Sequence, residues 1–316
     1  MCRMMIENIF SQMNLSPVLL FLYNRPEHTL LTIDALKRNE LALSSKLIVF
    51  CDGPKPYEKN SKIREVRLLA QSIRGFKSIT VVERNENLGL AKSIIYGVTK
   101  TIKDFHRVIV LEDDMITSPF FLRYMNDGLQ KFQHEKRVGS IHAYSPQLIG
   151  LPEYFFIKGG DCWGWATWKD RWDIFQPDGK ILLRTLMKTN LLEEFDRTGG
   201  ANLVGMLLKQ ILDLNQSWYI RWHGSLFLAG LLTLQPGISF LQNIGLDGTG
   251  TNCANTNIQS DLDRSYYDGI HIDKVNADIP ATQIIYKHME QEVYKGSILF
   301  RLASDCINKY RMMRIL

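Results

Sequence analysis

Val108-Ile109-Val110-Leu111-Glu112-Asp113-Asp114 is an apolar run of strand length that ends abruptly in three carboxylates. An unbroken apolar run of this length is how a strand covered on both faces reads, and such strands belong to parallel sheets flanked by helices. Just upstream, Ala91, Ile94, Ile95, Val98 and Ile102 recur at the spacing of one buried helix face, which predicts a helix feeding into that strand. The same alternation runs outward from residue 17 to about 143. Strands are expected at Val18 to Tyr23, Lys46 to Cys51, Ser78 to Glu83, Arg107 to Leu111 and Val138 to Ala143. Pro26 opens the first helix, where its fixed φ and missing N–H are tolerated. The pattern predicts an α/β fold with a mostly parallel, Rossmann-like sheet between layers of helices.

The chain has 316 residues, 45% hydrophobic and 22% charged, enough to bury one large core and too apolar for a disordered segment. Its 38 Lys and Arg against 33 Asp and Glu leave a formal charge of +5, too mild for a dedicated nucleic-acid binder. The five cysteines are widely spaced and form no C-x-x-C pair, the set expected of a reduced, cytoplasmic chain without a zinc site. Residues 1 to 16 lack the apolar stretch of a secretory signal, and no apolar run approaches the roughly 20 residues of a membrane-spanning helix.

Beyond Ser145 the alternation gives way to Gly159-Gly160, a Trp-rich run from Trp163 to Trp172, and helical stretches near 181–197 and 201–214. An apolar stretch from Trp218 to Leu232, a strand at Ile238 to Leu241 and a Gly/Asn/Thr loop from Asn243 to Asn257 follow. The expected organisation is an N-terminal extension (1–16), two halves of one domain (17–145 and 146–286) and a C-terminal basic amphipathic helix (287–316). That last segment carries six Lys/Arg and three Asp/Glu among apolar positions. It suits either a helix docked on the domain or peripheral contact with an anionic membrane.

Three adjacent acids at a strand end repel one another unless a cation or strong donors face them. Oxygen-only ligation suits Mg²⁺ or Mn²⁺, and such an ion would bridge phosphates; the alternative is a solvated turn in which Asp114 caps the next helix. Other strands end in Tyr23-Asn24-Arg25-Pro26, in Cys51-Asp52-Gly53-Pro54, and in Glu83-Arg84-Asn85-Glu86-Asn87-Leu88-Gly89-Leu90-Ala91-Lys92. All should project over the edge that carries the acidic triplet, where open parallel sheets bind ligands. Arg25 and Lys92 can meet phosphate charge, Asp52 can accept from a base or ribose, and Gly89 lets backbone approach a ligand. Singly, Asp52-Gly53-Pro54 is also ordinary turn chemistry, and Asn87-Leu88-Gly89 an ordinary helix start.

Taken in order and with Trp163-Gly164-Trp165-Ala166-Thr167-Trp168, these motifs resemble bacterial glycosyltransferases of the GT-A fold, in the broad family 2 group. The Glu112-Asp113-Asp114 triplet also resembles that of the N-acetylglucosaminyltransferase I group. The resemblance covers about residues 17 to 255. It implies a nucleotide-sugar donor, usually UDP-linked, with Asp114 as metal ligand and Glu112 and Asp113 beside the donor. Asn24, Arg25 and Asp52 would surround the base, and Asn87, Gly89 and Lys92 would line the ribose and diphosphate. Gly160, Trp163, Gly164 and Trp165 would form the acceptor side. For Trp165, with Trp168 and Trp172, the residues alone favour packing on one helix face.

An inverting transfer needs a general base for the acceptor hydroxyl. The Trp-acid-acid-Trp stretch of the resembled group has its look-alike in Trp218-Tyr219-Ile220-Arg221-Trp222, which carries no acid. Asp161 is therefore the first candidate base, ahead of Asp173 and Asp247. The late loop that closes over the diphosphate in the resembled enzymes often presents a His where this chain has Asn252. The expected function is metal-dependent transfer of a sugar to a glycan or lipid-linked acceptor in bacterial surface polysaccharide synthesis. An inactive nucleotide- or glycan-binding protein is the rival expectation. A sugar nucleotidyltransferase fits less well, because it would carry a Gly-rich, Arg- and Lys-containing signature where this chain has Tyr23-Asn24-Arg25-Pro26.

Overall fold

The computed structural model describes residues 15–57, 60–198, 202–248, 262, 266–294 and 298–315. An eight-stranded sheet organises them. Its strands are β1 (Val18–Leu22), β2 (Lys46–Cys51), β3 (Ser78–Glu83), β4 (Arg107–Glu112), β6 (Val138–His142), β7 (Tyr154–Lys158), β8 (Trp165–Trp168) and β9 (Leu232–Pro236), in the order β3-β2-β1-β4-β8-β6-β9-β7. β3, β2, β1 and β4 are parallel neighbours, β8 runs antiparallel between β4 and β6, β9 is parallel to β6, and β7 closes the far edge antiparallel. Six of the eight strands thus end at one edge, which makes the fold the mostly parallel α/β class that the sequence pattern predicts. A two-stranded ladder of β5 (Met115–Thr117) and β10 (Leu241–Asn243) sits at that edge.

Helices α1 (Pro26–Lys37), α2 (Ser61–Ser72) and α4 (Phe121–Lys131) contribute Leu36, Val66, Leu122 and Met125 to the core on one face of the sheet. On the other face, α3 (Leu90–Phe105) buries Ala91, Ile94, Val98 and Ile102 against Leu19, Phe21, Val108 and Val110. This is the face that its 3-4 spacing predicts, with only Ile95 left partly exposed. The remaining helices are α5 (Lys169–Trp172), α6 (Gly179–Lys188), α7 (Leu192–Asp196), α8 (Leu203–Ile211), α9 (Tyr219–Leu228), α10 (Ile279–Tyr294) and α11 (Ile298–Ile315). A separate apolar cluster joins α6, α7, α8 and α9, and Met312 and Ile315 of α11 pack onto it.

Several sequence expectations need correction. Trp165, Trp168 and Trp172 do not share a helix face. Trp165 to Trp168 are a strand, paired Val110↔Trp165 and Arg107↔Trp168, so period two sends the two indoles to opposite faces. Trp165 joins Trp172, Trp218 and Trp222 on the α3 face, while Trp168 lies in the other core with its Nε1–H on the Leu129 carbonyl at 3.0 Å. The stretch Trp218 to Leu232 divides into α9 and β9 at Gly230, whose φ of +67° ends the helix. The stretch 181–197 divides into α6 and α7, and the C-terminal segment into α10 and α11. The late strand begins at Leu241 rather than Ile238.

Candidate functional site

β4 delivers Glu112, Asp113 and Asp114 to the shared edge, and β1 delivers Tyr23, Asn24 and Arg25 beside them, because Phe21 pairs with Glu112. Arg25 is the residue before α1, with Pro26 directing the helix away. Its guanidinium spans the acids: Nη2 donates to Asp113 Oδ1 in a short contact and to Asp114 Oδ2 at 2.8 Å. Both carboxylates are 7% exposed. Burial works against the charge of Arg25, and Asp113 and Asp114 more than reverse it, so its pKa is raised. Burial, opposed by Arg25 and reinforced by Asp114, pushes the Asp113 carboxyl up to about 6. Burial and then repulsion from Asp114 and Asp113 also lift Glu112 well above the ordinary range, against a hydrogen bond from Trp218.

One guanidinium therefore faces three acids, and two of them are displaced toward their protonated forms. The site is short of positive charge. Asp114 Oδ1 is buried with no hydrogen-bond partner, as is Arg25 Nη1. A buried carboxylate oxygen left open in this way is a natural ligand for a small hard cation. Among the described residues no cluster of three or more metal-ligating side chains occurs. A bound ion would take its other ligands from substrate oxygens and water, as Mg²⁺ does beside phosphates.

The segment after β10 lies across the triplet. Ile244 N–H donates to the Asp114 carbonyl at 2.9 Å, and a Cβ on Gly245 would stand 2.1 Å from Asp114 Oδ2 and 2.9 Å from Arg25 Nη1. Any side chain there would displace the Asp114 carboxylate or the Arg25 guanidinium. Farther along, Asp247 Oδ2 lies 3.2 Å from His28 Nε2 on α1. The described residues of this loop end at Gly248, and Asn252 lies outside them.

Asp52 closes the neighbouring corner from β2. Its Oδ1 accepts from Gly53 N–H and Leu88 N–H, both at 3.0 Å, and its Oδ2 from Gly89 N–H at 2.9 Å. Both oxygens thus hold the turn that starts α3, where Gly89 has a φ of +75°. Asn87 Nδ2–H donates to the Gly53 carbonyl at 2.9 Å, which ties the same turn to β2. Lys92 stands exposed in the first turn of α3. Arg84, which the sequence pattern did not single out, lies over the rings of Phe50 and Tyr96 and 3.7 Å from Asp52 Oδ1.

On the far side of β4, the segment 159–164 reaches the same edge before β8 begins. Gly164, at φ +64°, presses against Leu241, and its carbonyl accepts from Ala143 N–H at 2.9 Å. Trp163 remains partly exposed, with its ring edge-on to Tyr144 at 4.7 Å. Gly160 packs on Trp222 and gives its carbonyl to His223 Nδ1 at 2.8 Å. Asp161 is half-buried; its Oδ1 accepts from Cys162 N–H at 2.8 Å, and its Oδ2 lies 3.4 Å from His142 Nδ1 and 3.5 Å from Gln235 Nε2. Trp218, which hydrogen-bonds Glu112, stacks on Trp165 at 5.2 Å, and the next residue, Tyr219, feels the charge of Asp161. The start of α9 therefore links the triplet to Asp161.

Two expected site residues do not join this group. Trp165 is fully buried among Trp172, Trp218 and Trp222 and has no ring face open to a sugar. Asp173 follows α5 beyond the end of β8 that pairs with Arg107, the start of β4, so it lies at the opposite sheet edge, exposed and paired with Lys169 at 2.6 Å. The reversal of β8 between two parallel strands carries it there.

No protein-family model matches the chain, and no curated protein matches it. Among solved structures, residues 1–349 of S. aureus TarS overlap 46% of this chain and 41% of that chain, at 13% identity and a TM-score of 0.31. The chain thus spans less than half of that structure. UDP-glucose pyrophosphorylase complexed with UDP-glucose overlaps 52% of this chain and 80% of that one, at 12% identity and a TM-score of 0.28. The apo form of UDP-glucose pyrophosphorylase overlaps 51% and 79%, at 12% identity and a TM-score of 0.26. Overlaps of this size assign neither family nor activity.

Proposed function

We propose that the chain is a nucleotide-sugar-dependent glycosyltransferase, with a UDP-linked donor as the first expectation and a glycan or lipid-linked acceptor. The observation that carries the proposal is the Arg25–Asp113–Asp114 cluster, electron-rich and buried, under the loop at Gly245 and at the edge where six strands end. Ligands of parallel α/β sheets bind outside those strand ends. Asp114, with its open Oδ1, would hold a Mg²⁺ or Mn²⁺ ion. That ion would neutralise charge on the diphosphate as it leaves.

The chain's own residues supply the rest. Arg25 bridges the two buried carboxylates and offsets their repulsion, and its Nη1, buried without a hydrogen-bond partner, would meet an incoming anion. Asp52 and Asn87 shape the α3 turn, whose N-terminus, with Lys92 in its first turn, favours the negative charge of a diphosphate. Asn24 and Arg25 border the place for the base, while Glu112 and Asp113 border the donor. Trp163, Gly160 and Gly164 frame the acceptor side, and Asp161 takes the acceptor proton. On this reading the transfer inverts the anomeric carbon, the surface polysaccharide is its destination, and Asp247 acts on the loop rather than as base.

No described helix is long and apolar enough to cross a membrane. α11 nevertheless exposes Leu302, Ile307, Tyr310 and Met313 beside Lys309 and Arg314, a face suited to peripheral contact with an anionic bilayer that carries a lipid-linked acceptor. The direct test of the activity is release of nucleotide diphosphate from a panel of UDP-, GDP- and dTDP-sugars with Mn²⁺. Release by the wild type that Asp114→Ala abolishes supports the proposal; release that Asp114→Ala leaves intact removes it.

A further inference from the structure

Asp161 does not stand alone. His142 at the end of β6 pairs with Trp165 of β8, which in turn pairs with Val110 of β4, so the three side chains share one face and one row of the sheet. Gln235 follows Leu234, the partner of Ile141, and therefore lies beside His142. The imidazole and the amide are buried, with His142 Nδ1 only 2.6 Å from Gln235 Oε1, while the Asp161 carboxylate above them is 24% exposed.

Donor and acceptor assignments follow from that arrangement. With Gln235 Oε1 toward His142, its Nε2–H points to Asp161 Oδ2 at 3.5 Å, and His142 Nδ1 must carry the proton. The flipped amide would set Oε1 against Asp161 Oδ2, acceptor against acceptor. His142 Nδ1–H is then shared between Gln235 Oε1 and Asp161 Oδ2, the latter at 3.4 Å. Cys162 N–H holds the other oxygen at 2.8 Å. Among the described residues, the titratable groups that face Asp161 are His142 on β6, Tyr219 and His223 on α9, and its neighbour Cys162.

We infer that His142 and Gln235 are positioning residues for the general base, holding Asp161 Oδ2 from below so that the carboxylate meets the acceptor hydroxyl in one orientation. The inference rests on the glycosyltransferase reading above. In the step concerned, the acceptor oxygen forms a bond to the anomeric carbon and its proton passes to Asp161. The bond from that carbon to the diphosphate oxygen breaks, and its electron pair leaves on the diphosphate. His142 and Gln235 touch neither sugar; they fix the atom that receives the proton.

The test uses the full chain, with UDP release from UDP-glucose, UDP-galactose and UDP-N-acetylglucosamine in Mn²⁺ as probe and water as acceptor. On the fastest donor, His142→Leu should lower kcat at least about tenfold with KM within about twofold, the range for loss of an orienting partner. His142→Asn, which keeps an N–H near the Nδ1 position, should recover most of that loss. Gln235→Glu sets a like charge beside Asp161 and should move the acid limb of the pH–rate profile up by about one unit. In ¹⁵N-imidazole spectra, His142 should be the Nδ1–H tautomer and should respond to Asp161→Asn. The inference is overturned by an Nε2–H tautomer, by equal losses in His142→Leu and His142→Asn, or by an unshifted profile in Gln235→Glu. If His142→Leu fails to fold, Gln235→Glu and the spectra decide. Absence of UDP release by the wild type itself would instead remove the glycosyltransferase reading beneath it.

Discussion

Replacing Arg25 with Met removes the only side-chain cation bonded to Asp113 and Asp114 among the described residues while keeping much of the aliphatic stem. Breaking one side of a buried ion pair costs about 3–5 kcal/mol, because the other charge is left uncompensated. The carboxylates are 7% exposed and Arg25 is 19% exposed, so the lower end, about 3 kcal/mol, is appropriate. Unfolding entropy per residue scales to about 0.7 kcal/mol/K for 316 residues, so the melting temperature at pH 7.5 should fall by about 4–5 °C. The pH dependence has a definite sign. With Arg25 present, Asp113 already titrates near about 6 rather than 3.8, so the folded state binds more protons than the unfolded chain between those values. Arg25 opposes that rise, and without it the folded value climbs further. The deficit of Arg25→Met is then full above the raised value, shrinks as pH falls from that value to about 6, and is level below it, where Asp113 is protonated with or without Arg25. Melts followed by circular dichroism at pH 7.5 and 5.5 in low salt measure both effects. An Arg25→Met protein as stable as wild type at pH 7.5, or equally destabilised at both pH values, would falsify the charge balance assigned to this site.

Three other outcomes follow from particular contacts. Gly245→Ala should abolish any Mn²⁺-dependent thermal shift with UDP, because its Cβ would fall 2.1 Å from Asp114 Oδ2, at a stability cost of about 1–3 kcal/mol; a retained shift means the loop leaves that position. Asp52→Asn turns one acceptor into a donor opposite Leu88 or Gly89 N–H, and a loss of about 1–3 kcal/mol in denaturant titration is expected. A neutral change would show that the α3 turn does not depend on Asp52. Burial, with Glu83 nearby, pushes the Cys51 thiol up to about 12, so mass-spectrometric mapping after iodoacetamide at pH 7.5 should find exposed Cys306 alkylated and Cys51 untouched in the native protein. Labelling of both at one rate contradicts the burial of Cys51.

The strands β1, β2 and β4 are legible in the sequence because buried parallel strands read as apolar runs, while the half-exposed edge strand β3 shows through its β-branched Ile79, Thr80, Val81 and Val82 and β6 through its place in the alternation with helices. β8 is not, since four residues are too few to separate period two from the i, i+3 spacing of its tryptophans. β9 is hidden because Leu232 continues the apolar character of α9 across Gly230. In the site, Arg25 and the acidic triplet can be anticipated because each directly follows a strand whose end defines the ligand edge. Asp173 could not be sited without knowing that β8 reverses direction. His142 and Gln235 lie 93 residues apart in sequence, and Gly245 meets Asp114 only through the β5–β10 ladder, so nothing local marks any of them.

The most direct test of the central claim is a thermal-shift panel of UDP, GDP, CMP and dTDP, each with and without Mn²⁺, on wild type and Asp114→Ala. A ligand that binds only the native state raises its melting temperature by mass action. The account predicts a Mn²⁺-dependent rise with one nucleotide, UDP first, that Asp114→Ala eliminates. A panel without any rise, or a rise that Asp114→Ala leaves unchanged, would contradict it.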